Sequence, residues 1–157
     1  MSDNDVTGID PLVHRYRATS TWSGSTAGGH RTYDRAHSGA APPAEADLRL
    51  SADPAFGGDA GLLNPEQLVL LAASSCQLLS FLAVAARARL DVRDYRDEAE
   101  ASMPESEKPI RLAEIVLRPH IFVAEGPTED RVRHLVEVAH RSASSPTASR
   151  PPSGWSR

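Results

Sequence analysis

From Leu68 to Leu82 the chain reads LVLLAASSCQLLSFL, and no charged residue occurs between Gln67 and Arg87. The four residues before this run, Asn64-Pro65-Glu66-Gln67, carry the signs of a helix start. Asn64 is a good N-cap, Pro65 suits the first helical position, and Gln67 completes a capping-box spacing. Glu66 in the first turn favours the positive end of the helix dipole. The spacing predicts one helix from Asn64 to about Arg89. It is apolar nearly all round, so it must be buried on most sides. One small sheet in a chain of 157 residues does not cover such a helix, which predicts a partner helix from a second subunit. The run also approaches the ~20 residues that cross a bilayer. Yet it carries Ser74, Ser75, Gln77 and Ser80, and a span would remove the only substantial core segment. A buried helix, with no membrane partner, is the expectation.

The flanks predict short strands. His14–Ser23 is rich in β-favouring residues and reads as a strand, with a turn at Gly24–Gly29. His30–His37 is expected to pair with it as a hairpin, with Arg31, Tyr33, Arg35 and His37 on one face. Ser38–Pro43 reads as a loop, Ala46–Leu50 as a short strand, and Ser51–Leu63 as an irregular connection. Beyond the helix, Asp91–Met103 reads as a strand with a wet outer face. Leu112–Ala124 reads as a clearer strand, bent or bulged at Pro119. Thr128 is a candidate N-cap for a second helix whose apolar face holds Val132, Leu135, Val136 and Ala139. This order of elements indicates an α+β fold. Residues 1–13 are expected to be loose and 14–140 to form the domain. After Val138 no Val, Ile, Leu, Met or Phe occurs, so 141–157 is expected to form a tail that cannot order itself.

Composition removes several function classes. A formal charge of −4 gives no global attraction to nucleic acid. A single cysteine, Cys76, cannot form an internal disulfide, and the acidic N-terminus lacks the blocks of a signal peptide. The cytoplasm is therefore the expected location. The six histidines show no ligand spacing and there is no Gly-rich phosphate loop, so neither metal nor cofactor is expected. Cys76 by itself is open to two readings: a redox nucleophile, or a small buried side chain of an often-buried type.

The motif decides between them. With Asn64-Pro65-Glu66-Gln67-Leu68 followed by Ala72-Ala73-Ser74-Ser75-Cys76, the chain resembles the OsmC/Ohr family of hydroperoxide-reducing proteins. The likeness runs from Trp22 to His140 and takes in Ser51-Ala52-Asp53-Pro54-Ala55-Phe56 and Leu117-Arg118-Pro119. It implies an OsmC-like α+β fold: an intertwined homodimer with the long central helices packed between antiparallel sheets and active sites at the subunit interface. It also implies a peroxiredoxin-type activity. Cys76 matches the reactive cysteine, and Glu66 matches the carboxylate that orients an arginine beside it. An external thiol or dithiol then resets the oxidised sulfur. Only a thiolate is nucleophilic, and a nearby guanidinium favours that form. The same cation stabilises the leaving oxygen, and a carboxylate holds it in place. Arg35 and Arg49 are the candidates for this cation, since Gly57-Gly58 stands where the family often carries its arginine. Ten helical residues separate Glu66 from Cys76, about 15 Å, so either Glu66 acts through an intervening arginine or an antiparallel partner helix brings the other copy's Glu66 close, and the second is the expectation.

The chain departs from the family at its end. The second family cysteine lies in a run like His-Glu-Lys-Cys-Phe-Ile-Ala-Asn-Ser-Val, where this chain has His140-Arg141-Ser142-Ala143-Ser144-Ser145-Pro146-Thr147-Ala148-Ser149. Written in GC-rich codons, Cys-Phe-Ile-Ala-Asn-Ser-Val becomes Ala-Ser-Ser-Pro-Thr-Ala-Ser when read one base later. A single-base deletion after the His140 codon therefore accounts for the ending. Without the second thiol, oxidised Cys76 depends on an outside reductant, and the function expected is hydroperoxide reduction impaired by that loss. The alternative is a non-catalytic dimeric protein that binds an apolar small ligand.

Overall fold

The structure, a computed structural model, describes residues 13–106 and 108–143. The chain divides between Asn64 and Pro65 into two units. The first carries three short antiparallel strands in the order β1 (Thr19–Thr21), β2 (His37–Ala40) and β3 (Leu48–Leu50). Thr19 faces Ala40, and His37 faces Leu50.

The expected strand over His30–His37 does not form, because side chains draw its backbone into turns. Gly29 adopts φ 92°, and its carbonyl accepts from both the Thr32 amide at 3.1 Å and the Thr32 hydroxyl at 3.0 Å. Trp22 Nε1 donates to the Asp34 carbonyl at 2.8 Å, and Asp34 Oδ1 accepts from the Ala36 amide at 2.9 Å. The face expected for Arg31, Tyr33, Arg35 and His37 is therefore absent. The paired strand begins at His37 and runs through Ala40, into residues read as loop from sequence.

The connection before the long helix is tightly bonded. Asp53 Oδ1 caps the short 3-10 turn Pro54–Phe56 through the Ala55 amide, and its Oδ2 accepts from Asn64 Nδ2 at 3.2 Å. Buried Ser51 accepts the Asp59 amide, and its own amide donates to the Leu63 carbonyl at 2.9 Å. Gly58 passes so close to this backbone that a Cβ there would sit 1.7 Å from the Ala52 oxygen. Only glycine fits.

The second unit is built on α1, Pro65–Arg87, which begins where the sequence placed it. Its C-terminus is a Schellman turn. Leu90 donates to the Ala85 carbonyl and Arg89 to the Ala86 carbonyl, with Arg89 left-handed at φ 54°. Leu90 and Ala85 are both buried and complete the motif's apolar contact. Arg131 from the second helix donates to the Ala88 carbonyl at 2.8 Å, satisfying another end group.

Asp91–Met103 divides into β4 (Val92–Asp97) and β5 (Glu100–Ser102), and Leu112–Ala124 into β6 (Glu114–Val116) and β7 (Pro119–Val123). β4 pairs with β7, and β5 with β6, each antiparallel. The expected bend falls just before Pro119, where Asp97 Oδ1 accepts the Arg118 amide at 2.7 Å and Glu98 donates to the Arg118 carbonyl. The Asp97 side chain thus takes one ladder bond's place, and the pairing resumes beyond it in the same register, with Asp97 facing Pro119 and Glu100 facing Val116. Thr128 caps α2 (Glu129–Ser142) by accepting from the Arg131 amide at 3.3 Å. The core gathers Phe81, Ala85, Leu90, Val136 and Ala139, with Val132, Leu135, Val92, Tyr95, Ile121 and Val123 packed against it. The α2 face expected from sequence is the one that is buried.

Burial of α1 on most sides does not occur within one chain. Ala73, Gln77, Phe81 and Ala85 are buried, but Leu71 is 60% and Leu79 63% exposed. The helix is long and apolar enough to cross a membrane by length and composition alone. One face packs on β4 and α2. The other is left apolar and open.

Candidate functional site

Cys76 lies halfway along α1 and is half-buried, with a free thiol. On a helix of 3.6 residues per turn, Leu71, Ser75, Leu79, Leu82, Ala83 and Ala86 share one face, and every one is exposed. Cys76 sits at the border between that face and the buried stripe of Ala73, Gln77 and Phe81. The thiol is therefore at the margin of whatever covers the open face.

The helix turn that carries Cys76 is fixed from behind. Ser74 donates to Asp97 Oδ2 at 2.6 Å, and Gln77 Nε2 makes a long contact of 3.4 Å to the Val136 carbonyl. Among the described residues, Gln77 Oε1 and the Tyr95 hydroxyl are buried without a hydrogen-bond partner. Burial, and then the Asp97 carboxylate beside it, push the Tyr95 hydroxyl well above its usual pKa. Phe81 packs on the Tyr95 ring at 5.9 Å. Nothing local in the sequence marks Asp97 or Tyr95 as supports of this turn, since Asp97 is 23 residues from Ser74.

Glu66 stands in the first turn of α1 and is half-buried. The helix is unbroken between Glu66 and Cys76, so the ten-residue rise of about 15 Å separates them within one chain. Among the described residues the Glu66 carboxylate has no ion pair.

Arg35 and Arg49 lie in the first unit. Arg35 is half-buried, and its guanidinium is held by backbone carbonyls. Nη2 donates to His30 at 2.7 Å, and Nη1 to Tyr33 at 3.1 Å and to Gly57 at 3.5 Å. Its Cζ lies 4.3 Å from the centre of the Tyr33 ring. No carboxylate among the described residues pairs with it. Arg49 is exposed on β3 opposite Ser38. Arg31, which the sequence put on the same strand face, lies in a turn and is exposed.

The single-base deletion inferred from sequence rests on Arg141–Ser149. Only its first three residues are described: Arg141 and Ser142 end α2, and Ala143 follows as its C-cap. The remainder, and the expected loose N-terminus up to residue 12, lie outside the described residues. No cluster of three or more His, Cys, Asp or Glu side chains gathers among the described residues.

The family model for OsmC-like protein matches residues 57–148, a segment that includes Glu66 and Cys76. Solved structures agree in fold. An OsmC-like protein of unknown function from Vibrio cholerae O1 biovar eltor is 25% identical, with a TM-score of 0.76 over 84% of this chain and 91% of that one. An organic hydroperoxide resistance protein OsmC from Legionella pneumophila is 21% identical, with a TM-score of 0.64 over 84% and 86%. A putative organic hydroperoxide resistance protein from Vibrio cholerae, with captopril bound in one of the active sites, is 24% identical, with a TM-score of 0.61 over 85% and 83%. No curated protein sequence matches the chain.

Proposed function

The chain belongs to the OsmC-like protein family, and from that premise we infer that it is a cytoplasmic, homodimeric, thiol-dependent reductase of organic hydroperoxides. The observation that carries this reading is the place of Cys76: a half-buried thiol at the edge of an apolar helix face that a single chain leaves open. A second copy packed on that face would enclose the thiol from the solvent side. Among the described residues, two half-buried side chains of opposite charge, Glu66 and Arg35, carry no ion pair. A second copy that brought the two together would pair them, which fits a site completed across the interface. Arg35 is the better candidate for the cation, because its carbonyl contacts hold the guanidinium in one orientation, whereas Arg49 is a solvated strand residue.

The chemistry is short. The Cys76 thiolate attacks the terminal peroxide oxygen, the S–O bond forms and the O–O bond breaks. Sulfur is oxidised to the sulfenic acid, and the alkoxide takes a proton and leaves as the alcohol. Arg35 offers positive potential where negative charge develops on the leaving oxygen. The chain has one cysteine, so reduction requires outside thiols. The first condenses with the sulfenic acid to give a mixed disulfide and water, and the second releases Cys76. The captopril-bound Vibrio protein supports this direction, since captopril itself carries a thiol.

The test is stoichiometric oxidation. Cumene hydroperoxide should consume one thiol per chain, yield a sulfenic acid that dimedone traps at Cys76, and turn over when dithiothreitol is added. Cys76→Ser should be inert. A thiol that survives excess hydroperoxide in the dimer overturns the proposal and leaves the non-catalytic binding reading.

A further inference from the structure

Gln77, the residue after the thiol, is buried at a cost. It is 3% exposed. Its Nε2 makes one long bond of 3.4 Å to the Val136 carbonyl, and among the described residues its Oε1 has no partner. A buried amide oxygen without a donor costs more than an apolar side chain of the same size in its place. The Val136 carbonyl does not require the glutamine either, because it lies inside α2 with the His140 amide one helical turn on. Stability therefore does not account for a glutamine at this position.

The rotation of α1 about its own axis does. The buried stripe is Ala73, Gln77, Phe81 and Ala85. The fully buried Phe81 favours this setting, yet the stripes on either side are apolar as well. At about 100° per residue, a turn of one position would bring Val69, Ala72, Cys76, Ser80 and Ala83 toward the core and hide the thiol. The opposite turn would bring Leu71, Leu78 and Leu82 inward, with Ser74, and carry Cys76 onto the open face. Burial of apolar surface separates these settings weakly. Directional bonds separate them well. Ser74 donates to Asp97 Oδ2 at 2.6 Å and Gln77 donates to Val136, so the residues that bracket Cys76 are bonded to β4 and to α2. A buried polar side chain that lowers stability while fixing one packing register has this use in other helical assemblies.

We propose that Gln77 is a positioning residue: together with the Ser74–Asp97 bond it fixes the rotation of α1 and so aims Cys76 at the border of the open face. This deepens the thiol reading of Cys76 and rests on it for the catalytic consequence alone.

Cys76 is the chain's one cysteine, so cysteine isotope-labelled at Cβ reports a single site by NMR. Wild-type protein should show one sharp Cβ resonance. Gln77→Leu should hold or raise the urea midpoint of unfolding and yet split or broaden that resonance, with about a tenth or more of the intensity displaced. Cumene hydroperoxide turnover should fall in step with the displaced fraction. Gln77→Met keeps the side-chain length without the amide and should disturb the resonance in the same way. One sharp resonance at the wild-type position in both variants, or a lower urea midpoint in Gln77→Leu, overturns the proposal. The resonance is read without peroxide, so it decides the role of Gln77 even where wild type shows no turnover.

Discussion

Leu79→Glu tests whether a second copy of the chain covers the open face of α1. Leu79 is 63% exposed in the single chain, at the centre of the face shared by Leu71, Ser75, Leu82 and Ala86. Fully burying a leucine is worth about 1.5–3 kcal/mol, so the exposed part of Leu79 contributes about 1–2 kcal/mol when covered. A two-fold interface contains the residue twice, which brings the loss to about 2–4 kcal/mol per dimer, or roughly 30- to 1,000-fold in the dissociation constant. The desolvated carboxylates add to that cost. Sedimentation equilibrium should show a wild-type dimer and a Leu79→Glu protein shifted toward monomer, with Leu79→Ala between them. Helical circular dichroism should be unchanged, because the side chain supports little of the single-chain core. Hydroperoxide turnover should fall with the dimer fraction. A wild-type monomer, or dissociation constants that agree within about threefold, refutes the argument that this face seeks its own copy.

Two further predictions concern the frame around the site. Arg89→Gly should stabilise the chain by about 1 kcal/mol, since a left-handed backbone costs an L-residue about 1–2 kcal/mol and glycine suits the position after a Schellman helix end. The urea midpoint of unfolding should rise, and a fall would mean that the Arg89 side chain has a stabilising role. Tyr95 holds its proton more tightly when folded than unfolded, because burial and Asp97 oppose the phenolate. Its contribution is fully present below the unfolded value near pH 10 and is lost as pH rises from there toward the folded value. Wild-type stability should thus fall above pH 10 more steeply than that of Tyr95→Phe, and the variant should lack the late step in phenolate absorbance at 295 nm. Identical alkaline profiles would contradict this placement of the hydroxyl.

Each correction to the sequence reading has a local cause. His30–His37 has strand-like composition, but Thr32, Asp34, Trp22 and Arg35 side chains bond the backbone there, and an alternation of polar and apolar residues carries no record of such bonds. Asp91–Met103 has continuous strand character, yet its ladder is interrupted between Asp97 and Glu100, where the Asp97 carboxylate accepts the Arg118 amide from 21 residues away. By contrast, α1 and α2 were legible because their start signals are local. Pro65 and Thr128 stand where the helices begin, and the apolar residues of α2 recur at the helical period. The motif around Cys76 was legible for the same reason. Its supports, Asp97 and Tyr95, were not, because a support is defined only by what folds against it.

The chain's sequence by itself determined the long apolar helix, its first residue, the solitary thiol upon it and the family to which that arrangement belongs. These are properties of consecutive residues and fixed spacings. Only the tertiary structure decided which face of α1 is buried, that Cys76 stands at the border of the face left open, and that carbonyls rather than a carboxylate hold Arg35. The helix is apolar on nearly every side, so no periodicity in the sequence could select a face. The strands and α2 chose it by the surfaces they presented.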